Sequence, residues 1–136
     1  MHFILDRYLF SDNKKLLQLE KIVSLLHETY WAKNRKIEII KKSIDTSLCF
    51  GVYCNDLQIG FARCVSDYST VYWLCDVIID SKYRGIGLGI KLIECIVEHN
   101  ELKGLMGILG TRDSKGLYSK YGFKLSTNSF MIKKSK

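Results

Sequence analysis

Three glycines that could hold a phosphate group stand at alternate positions in the chain: Gly85, Gly87 and Gly89. A β-branched run, Val77–Ile79, precedes them, and apolar residues then recur at helical spacing over Leu88–Val97. Because glycine lacks a Cβ atom, the backbone can turn tightly here and bring successive N–H groups close to a bulky ligand. The same N–H groups lie at a helix N-terminus, where unpaired donors and the helix dipole favour an anion. Strand, glycine turn and helix together predict a phosphate-binding site.

The spacing of these glycines distinguishes among the known phosphate-binding patterns. A Walker loop ends in Gly-Lys-Ser/Thr, whereas Gly89 is followed by Ile90. A dinucleotide fingerprint separates its second and third glycines by two residues, whereas the glycines here alternate. The remaining pattern, Arg84-x-x-Gly87-x-Gly89 directly after a strand, resembles the pyrophosphate-binding signature of the GNAT acyltransferase family. Taken alone, the six residues could also be a glycine turn without a ligand.

A second motif supports this resemblance. Leu117-Tyr118-Ser119-Lys120-Tyr121-Gly122-Phe123 stands where the family usually has Tyr-x-x-x-Gly-Phe, in the expected order along the chain. The resemblance covers nearly the whole chain and implies a single domain, residues 1–136, that moves an acetyl group from acetyl-CoA by direct attack of a primary amine. The amine would belong to a small molecule or be an exposed amino group. The alternative is a catalytically inactive CoA-binding sensor or interaction module of the same fold.

The resemblance also implies where coenzyme A would bind. In the family, main-chain N–H groups at the end of the fourth strand hold the acyl carbonyl, which maps near Cys75–Val77. The pantetheine arm would run along Val77–Ile79 as an added pseudo-strand, and the pyrophosphate would meet the amides from Arg84 to Ile90. The implied cofactor-binding residues are Cys75, Val77, Ile78, Ile79, Arg84, Gly85, Ile86, Gly87, Leu88, Gly89 and Ile90.

Two catalytic residues are expected, because the leaving thiolate benefits from a proton and the attacking amine must be neutral. Tyr118 matches the tyrosine that the family points at the sulfur, and a phenol is protonated at neutral pH. Its alternative role is to pack a helix against the sheet. Asp76, beside the acyl site, is the best candidate base, although it could instead pair with Arg63 from the neighbouring strand. Water could also take the proton.

Trp31, Arg63 and Asp67 are the expected acceptor-binding residues. Trp31 falls in the loop that walls the acceptor site in the family, although a core aromatic is an equally good reading. Asp67 lies in a predicted turn, where aspartate often bonds its own backbone. Arg63 and Asp67 share a strand face only if no bulge intervenes. Cys75 could suggest an acyl-cysteine route, but no nearby His or Lys in sequence would lower its pKa, so we expect direct transfer.

The predicted elements follow the order β-α-α-β-β-β-α-β-α-β. Strands are predicted at His2–Phe10, Leu48–Tyr53, Gln58–Asp67, Thr70–Ile79 and Leu105–Leu109, with one or two closing strands over Phe123–Leu125 and Phe130–Lys133. Helices are predicted at Gln18–Glu28, Arg35–Ser43, Leu88–Val97 and Ser114–Lys120, with Ile37, Ile40 and Ile44 of the second helix toward the core. The predicted fold class is α+β, a central mixed and mostly antiparallel sheet flanked by helices. The resemblance adds a V-shaped splay between the fourth and fifth strands.

Composition bounds the remaining expectations. The 136 residues are 47% hydrophobic and 26% charged, without the ~20-residue apolar run of a membrane span or a secretory signal. Five cysteines form no Cys-x-x-Cys pair and the three histidines are isolated, so we expect no metal site. The net charge of +7 favours anionic partners but lacks the aromatic interleaving of a nucleic-acid surface. We expect a cytoplasmic protein without nucleic-acid or membrane partners, and a homodimer stays open.

Overall fold

A six-stranded sheet in the order β1-β2-β3-β4-β5-β6 forms the centre of the computed structural model, which describes residues 1–126 and 130–135. Neighbouring strands are antiparallel except β5 and β6, which run parallel. The strands are β1 (His2–Leu5), β2 (Tyr8–Ser11), β3 (Leu48–Cys54), β4 (Leu57–Ser66), β5 (Val71–Ile79) and β6 (Met106–Ile108). The predicted mixed, mostly antiparallel sheet is confirmed.

Helices cover both faces of this sheet. They are α1 (Leu19–His27), α2 (Ile37–Asp45), α3 (Leu88–Val97) and the short α4 (Lys115–Ser119). The helices α1 and α2 bury their apolar stripes in one cluster with Phe61 and Ile78 of the sheet. Helix α3 buries Leu88, Leu92 and Ile96 in a second cluster on the opposite face. Alternating strand residues feed these two clusters because successive side chains point to opposite faces.

Three predictions about the elements were wrong in detail. The first predicted strand is a hairpin, because Asp6 and Arg7 form a two-residue turn with Asp6 at φ 53°. Helix α2 begins at Ile37 rather than Arg35, and Ile37 is 53% exposed while Ile40 and Ile44 are buried. The closing strands are absent among the described residues 123–126 and 130–135. Phe123 packs against the α3 cluster, but Leu125, Met131 and Ile132 are 73%, 95% and 75% exposed, so these segments offer no alternating buried face that would fix a further strand.

A β-bulge in β5 changes which face its side chains reach. Phe61 lies opposite Ile78, but Arg63 lies opposite Cys75, so two residues of β5 share one position on β4. Asp76 adopts φ 54°, a left-handed conformation that is common for glycine, less so for Asn and Asp, and rare for other residues. Leu74 therefore belongs to the α3 cluster and Ile78 to the α1–α2 cluster, although regular alternation would give them one face. The bulge sends the carboxylate of Asp76 toward the loop between α1 and α2.

The strands β5 and β6 separate after three paired positions. Val71 pairs with Met106, Tyr72 with Gly107 and Trp73 with Ile108, and β6 ends there. Strand β5 continues for six more residues to Ile79, and on the side that faces β6 the main chain of these six residues pairs with no strand among the described residues. This divergence is the predicted splay, and it opens a cleft between the end of β5 and the chain that follows β6.

In the described part of the chain, no helix is both long enough and apolar enough to span a bilayer. Across residues 1–126 and 130–135, no three His, Cys, Asp or Glu side chains group as metal ligands would. All five cysteines are free, and three of them, Cys49, Cys54 and Cys64, are buried.

Candidate active site

One cleft of about 940 Å³ runs from the glycine turn, along the free edge of β5, to the loop between α1 and α2. The residues after β6 and helix α4 form its opposite wall. The cleft therefore has two ends: a glycine end at the start of α3, and an inner end at the bulge in β5. All the residues predicted to bind the cofactor line it except Ile86. Ile86 is 58% exposed and borders a separate shallow depression beside Arg7 and Tyr8.

The glycine end is an open backbone cradle. Gly85 and Gly87 have φ of 80° and 91°, so a side chain at either position would strain the backbone. A Cβ atom added at either glycine would meet no heavy atom within 4 Å, so the space beside them is free for a ligand. Gly87 is the N-cap of α3, no side chain caps its N–H groups, and no acidic residue occupies the first turn. Such uncapped donors at a ten-residue helix favour an anion.

Two side chains hold the connection between β5 and this cradle. The carboxylate of Asp80 accepts a hydrogen bond from the Lys82 amide at 3.0 Å and forms an ion pair with Lys21 at 3.2 Å. The Arg84 guanidinium turns back and donates from Nε to the Ile79 carbonyl at 2.8 Å. This hydrogen bond ties the glycine turn to the end of β5, and Arg84 itself lines the cleft.

At the inner end, Asp76 accepts hydrogen bonds from three side chains. Arg35 Nη1 lies 2.8 Å and Arg63 Nε 2.9 Å from Oδ2, and Trp31 Nε1 lies 2.9 Å from Oδ1. Burial alone would raise the pKa of Asp76, but the hydrogen bonds and charges of Arg35 and Arg63 hold the pKa below its ordinary value. The predicted pairing with Arg63 is present. A carboxylate so held is a weak proton acceptor and a strong positioning group for the two guanidiniums and the indole.

Tyr118, on α4, forms part of the wall opposite β5. Its ring packs edge-on against Phe123, with ring centroids 6.0 Å apart, and against the α3 cluster. Burial and the nearby charge of Asp113 raise the pKa of Tyr118, so its hydroxyl stays protonated beyond the ordinary phenol range. Tyr118 is therefore half-buried: its ring packs against the core, and the residue also lines the cleft wall.

The two walls of the cleft touch at its inner end. The Arg112 guanidinium lies 3.7 Å from the centre of the Tyr30 ring, and Tyr30 packs edge-on against Trp31. The loop that carries both aromatic residues is fixed by Thr29, whose hydroxyl donates to the Leu26 carbonyl and accepts from the Ala32 amide. Trp31 is 42% exposed and lines the cleft, so it is not a core aromatic.

Asp67 lies away from this constellation. Its carboxylate accepts hydrogen bonds from the amides of Ser69 and Thr70 and from the Thr70 hydroxyl. These bonds hold the pKa of Asp67 far below its ordinary value. Asp67 closes the turn between β4 and β5 and is not among the residues that line the cleft. The geometry therefore supports the turn reading and offers no support for acceptor binding at Asp67.

Sequence reasoning missed two residues of the inner end, Arg35 and Glu28. Arg35 stands in a lysine-rich run that reads as a solvated helix face, but it precedes α2 and points to Asp76. Glu28 follows α1, is exposed, and lines the cleft without an ion pair to any described residue. The only local signal was the proximity of both residues to Trp31 in the chain.

Cys75 lies beside the bulge and lines the cleft, so its position is compatible with the acyl-cysteine route. Burial raises the pKa of the Cys75 thiol, an effect that outweighs the opposing charge of Arg63. A thiol in this state is a poor nucleophile at neutral pH, which favours direct transfer.

Comparisons with known proteins agree with this geometry. A family model described as an acetyltransferase (GNAT) domain matches residues 45–125. The uncharacterized N-acetyltransferase ycf52-like of Prochlorococcus marinus is 34% identical over 106 residues, which are 74% of this chain and 58% of that protein. The chain thus spans less than two thirds of this relative. The uncharacterized N-acetyltransferase ycf52 of Pyropia yezoensis is 30% identical over 124 residues, 87% of this chain and 70% of that protein.

A solved structure resembles the fold along nearly its whole length. It is a Xanthomonas campestris protein assigned to the GNAT family, with a TM-score of 0.91 and 34% identity. The match covers 97% of this chain and 96% of that one. The agreement includes the segments outside the family model, the hairpin β1–β2 and helices α1 and α2.

Proposed function

The chain belongs to the GNAT acetyltransferase family, and we propose that it transfers an acetyl group from acetyl-CoA to a primary amine. One observation carries this proposal: the uncapped N-terminus of α3 and the inner end with Asp76 open into the same cleft. A phosphate-binding end and an acceptor end joined along a free strand edge suit a long cofactor with a reactive terminus. The amine belongs to a small molecule or is an exposed amino group.

The glycine end would hold the pyrophosphate. The main-chain N–H groups from Arg84 to Ile90 would donate to it, including the uncapped donors at the start of α3. The space beside Gly85 and Gly87 is free of side chains. The free edge of β5 from Leu74 to Ile79 would bind the pantetheine amides as an additional strand would. Bound in this way, acetyl-CoA supplies an activated acyl carbon at the inner end of the cleft.

Three side chains share the proton chemistry and the positioning. Tyr118 donates its phenolic proton to the departing sulfur, a role supported by its raised pKa and its position on the wall opposite β5. Glu28 accepts the proton of the amine, because it lines the cleft three residues before Trp31 and no described cation pairs with it; Asp113, which also lines the cleft, belongs to the opposite wall before α4. Asp76 acts as a positioning residue, since its oxygens already accept hydrogen bonds from Arg35, Arg63 and Trp31.

The experiment that tests this proposal is the release of free CoA thiol from acetyl-CoA over a panel of amines, followed with a thiol reagent. The panel should span amino acids, polyamines, arylamines, aminoglycosides and peptides. We expect saturable release that depends on one class of amine. If the protein binds acetyl-CoA but no amine increases thiol release above background hydrolysis, the proposed activity fails and a CoA-binding module is the better description.

A further inference from the structure

Among the buried and partly buried side chains at the inner end of the cleft, positive charge exceeds negative charge. Asp76 supplies one carboxylate to two guanidiniums, and the three side chains are 2%, 23% and 13% exposed for Asp76, Arg35 and Arg63. One positive charge of this trio is therefore left without a partner in a partly desolvated place. Partly desolvated charges attract a counter-charge more strongly than charges in water do.

The two arginines keep donors available for such a counter-charge. The Arg35 guanidinium donates to Asp76 only through Nη1, and its remaining guanidinium N–H groups meet no acceptor among the described residues. Arg63 uses Nε on Asp76 and Nη1 on the hydroxyl of Ser47, which lies 3.2 Å away. Both side chains line the cleft. The planar, forked donors of arginine match a carboxylate or phosphate better than they match a carbonyl oxygen.

Arg35 is also held in place before any ligand binds. Its amide donates to the Ala32 carbonyl at 3.1 Å, and its carbonyl lies 2.7 Å from His27 Nε2. Its guanidinium is fixed by Asp76. A preorganised cation lowers the entropy cost of binding an anion, which is a property of a recognition site rather than of a solvated surface arginine.

The other carboxylates of the cleft are more exposed than this trio. Glu28 and Asp113 both line the cleft and are exposed, whereas Asp76 is buried and Arg35 and Arg63 are partly buried. The cleft thus presents exposed carboxylates together with partly desolvated guanidiniums. A molecule with one ammonium group and one anionic group matches both parts, whereas a polyamine would place a second cation near Arg35 and Arg63.

We propose that the acceptor is a small primary amine that carries a compact anion, a carboxylate or a phosphate, and that Arg35 together with Arg63 binds this anion. The proposal rests on the proposed function for the identity of the amine as the acetyl acceptor. The exposed ring of Trp31 covers the body of the acceptor, since its indole is fixed by the hydrogen bond to Asp76.

Binding of matched pairs of amines to the wild-type protein, measured by calorimetry, tests the proposal. The carboxylate arm compares L-phenylalanine with L-phenylalaninamide, and the phosphate arm compares O-phosphoethanolamine with ethanolamine. We expect the anionic member of at least one pair to bind about 10-fold or more tightly, as hydrogen bonds to charged groups imply. The arm with the larger ratio identifies the anion. Equal or tighter binding of the neutral member in both arms overturns the proposal.

Two substitutions that each remove one positive charge show where the anion preference arises. Arg35→Gln should reduce the preference for the anionic member to less than about 3-fold, and Arg35→Lys should restore part of it. Lys36→Gln is the matched control, because Lys36 is the neighbouring cation and does not line the cleft. If Arg35→Gln and Lys36→Gln lower the preference equally, general surface charge explains it and the proposed site is wrong.

The same titrations separate this inference from the proposed function. Each pair is measured with and without saturating CoA, so the anion preference can be read even in a protein that binds no cofactor. An anion preference without CoA binding would overturn the acetyltransferase proposal and leave the anion site standing. CoA binding without any anion preference would overturn the proposed anion site and leave the acetyltransferase proposal standing.

Discussion

Replacing Asp76 with asparagine removes one negative charge from between two arginines and changes little else. Asparagine has nearly the same shape and tolerates the left-handed conformation that Asp76 adopts at φ 54°. It keeps an oxygen that can accept from Trp31, but its amide group presents N–H donors to Arg35 or Arg63. The substitution therefore isolates the charge of Asp76 from its backbone and packing roles.

The expected loss of stability follows from the contacts. Removing one partner of a fully buried ion pair costs about 3–5 kcal/mol. Because Arg35 and Arg63 are 23% and 13% exposed, water screens part of this cost, and we expect about 3 kcal/mol for Asp76→Asn. For a domain of this size that loss lowers the Tm by about 10 °C. Urea unfolding at pH 7, followed by tryptophan fluorescence, measures the loss in the free energy of unfolding.

The pH dependence provides the control for the electrostatic cause. The pKa of Asp76 is depressed in the folded protein, so its stabilisation is fully present above the unfolded pKa of about 4 and is lost as the pH falls through the folded value. The gap between wild type and Asp76→Asn should stay constant from about pH 6 to 8 and close below about pH 4. Asp45→Asn, at the exposed end of α2, should change stability by less than about 0.5 kcal/mol. An Asp76→Asn variant as stable as wild type at pH 7 would refute this reasoning.

Three further substitutions test the assigned roles through turnover. Tyr118→Phe should lower kcat by about 10²-fold with little change in acetyl-CoA affinity, because the lost hydroxyl acts only as the carbon–sulfur bond breaks; unchanged turnover with lower stability would make Tyr118 a packing residue. Glu28→Gln should lower kcat by about 10²-fold near neutral pH, and the loss should shrink at higher pH as more of the amine is already neutral; a pH-independent loss would argue against a base. Trp31→Phe keeps an aromatic ring and removes the donor to Asp76, so the acceptor KM should rise about 3- to 10-fold at nearly constant kcat; a fall in kcat alone would contradict a positioning role.

The glycine cradle was predictable from the sequence because its signal is local. Gly85, Gly87 and Gly89 lie within five residues, at the change from strand to helix periodicity, and the positive φ of Gly85 and Gly87 is backbone that a side chain would strain. The strand–helix order was predictable for the same reason. The end of the sheet was not, because the apolar residues near Leu125 resemble a strand whose burial depends on distant partners.

The inner end could be predicted only in part, since it is built from contacts distant in sequence. Arg35 and Arg63 reach Asp76 across 41 and 13 residues. The pairing of Arg63 followed from adjacent antiparallel strands, but the approach of Arg35 depends on where α2 begins and on the bulge that redirects Asp76. Neither the left-handed conformation of an aspartate nor a two-residue shift of a helix start leaves a distinct pattern in one sequence.

Calorimetric titration of acetyl-CoA into the wild-type protein and into Gly87→Glu tests whether the glycine end of the cleft binds the cofactor. We expect one site per chain, with a dissociation constant in the micromolar to low millimolar range typical of enzyme substrates. Gly87→Glu should remove this binding, because a carboxylate would occupy the open space at the start of α3, and Gly87→Ala should weaken it less, since alanine adds strain without charge. Absence of binding to the wild type at millimolar acetyl-CoA would show that this cleft is not a cofactor site, and equal binding to wild type and Gly87→Glu would show that the cofactor does not bind at the start of α3.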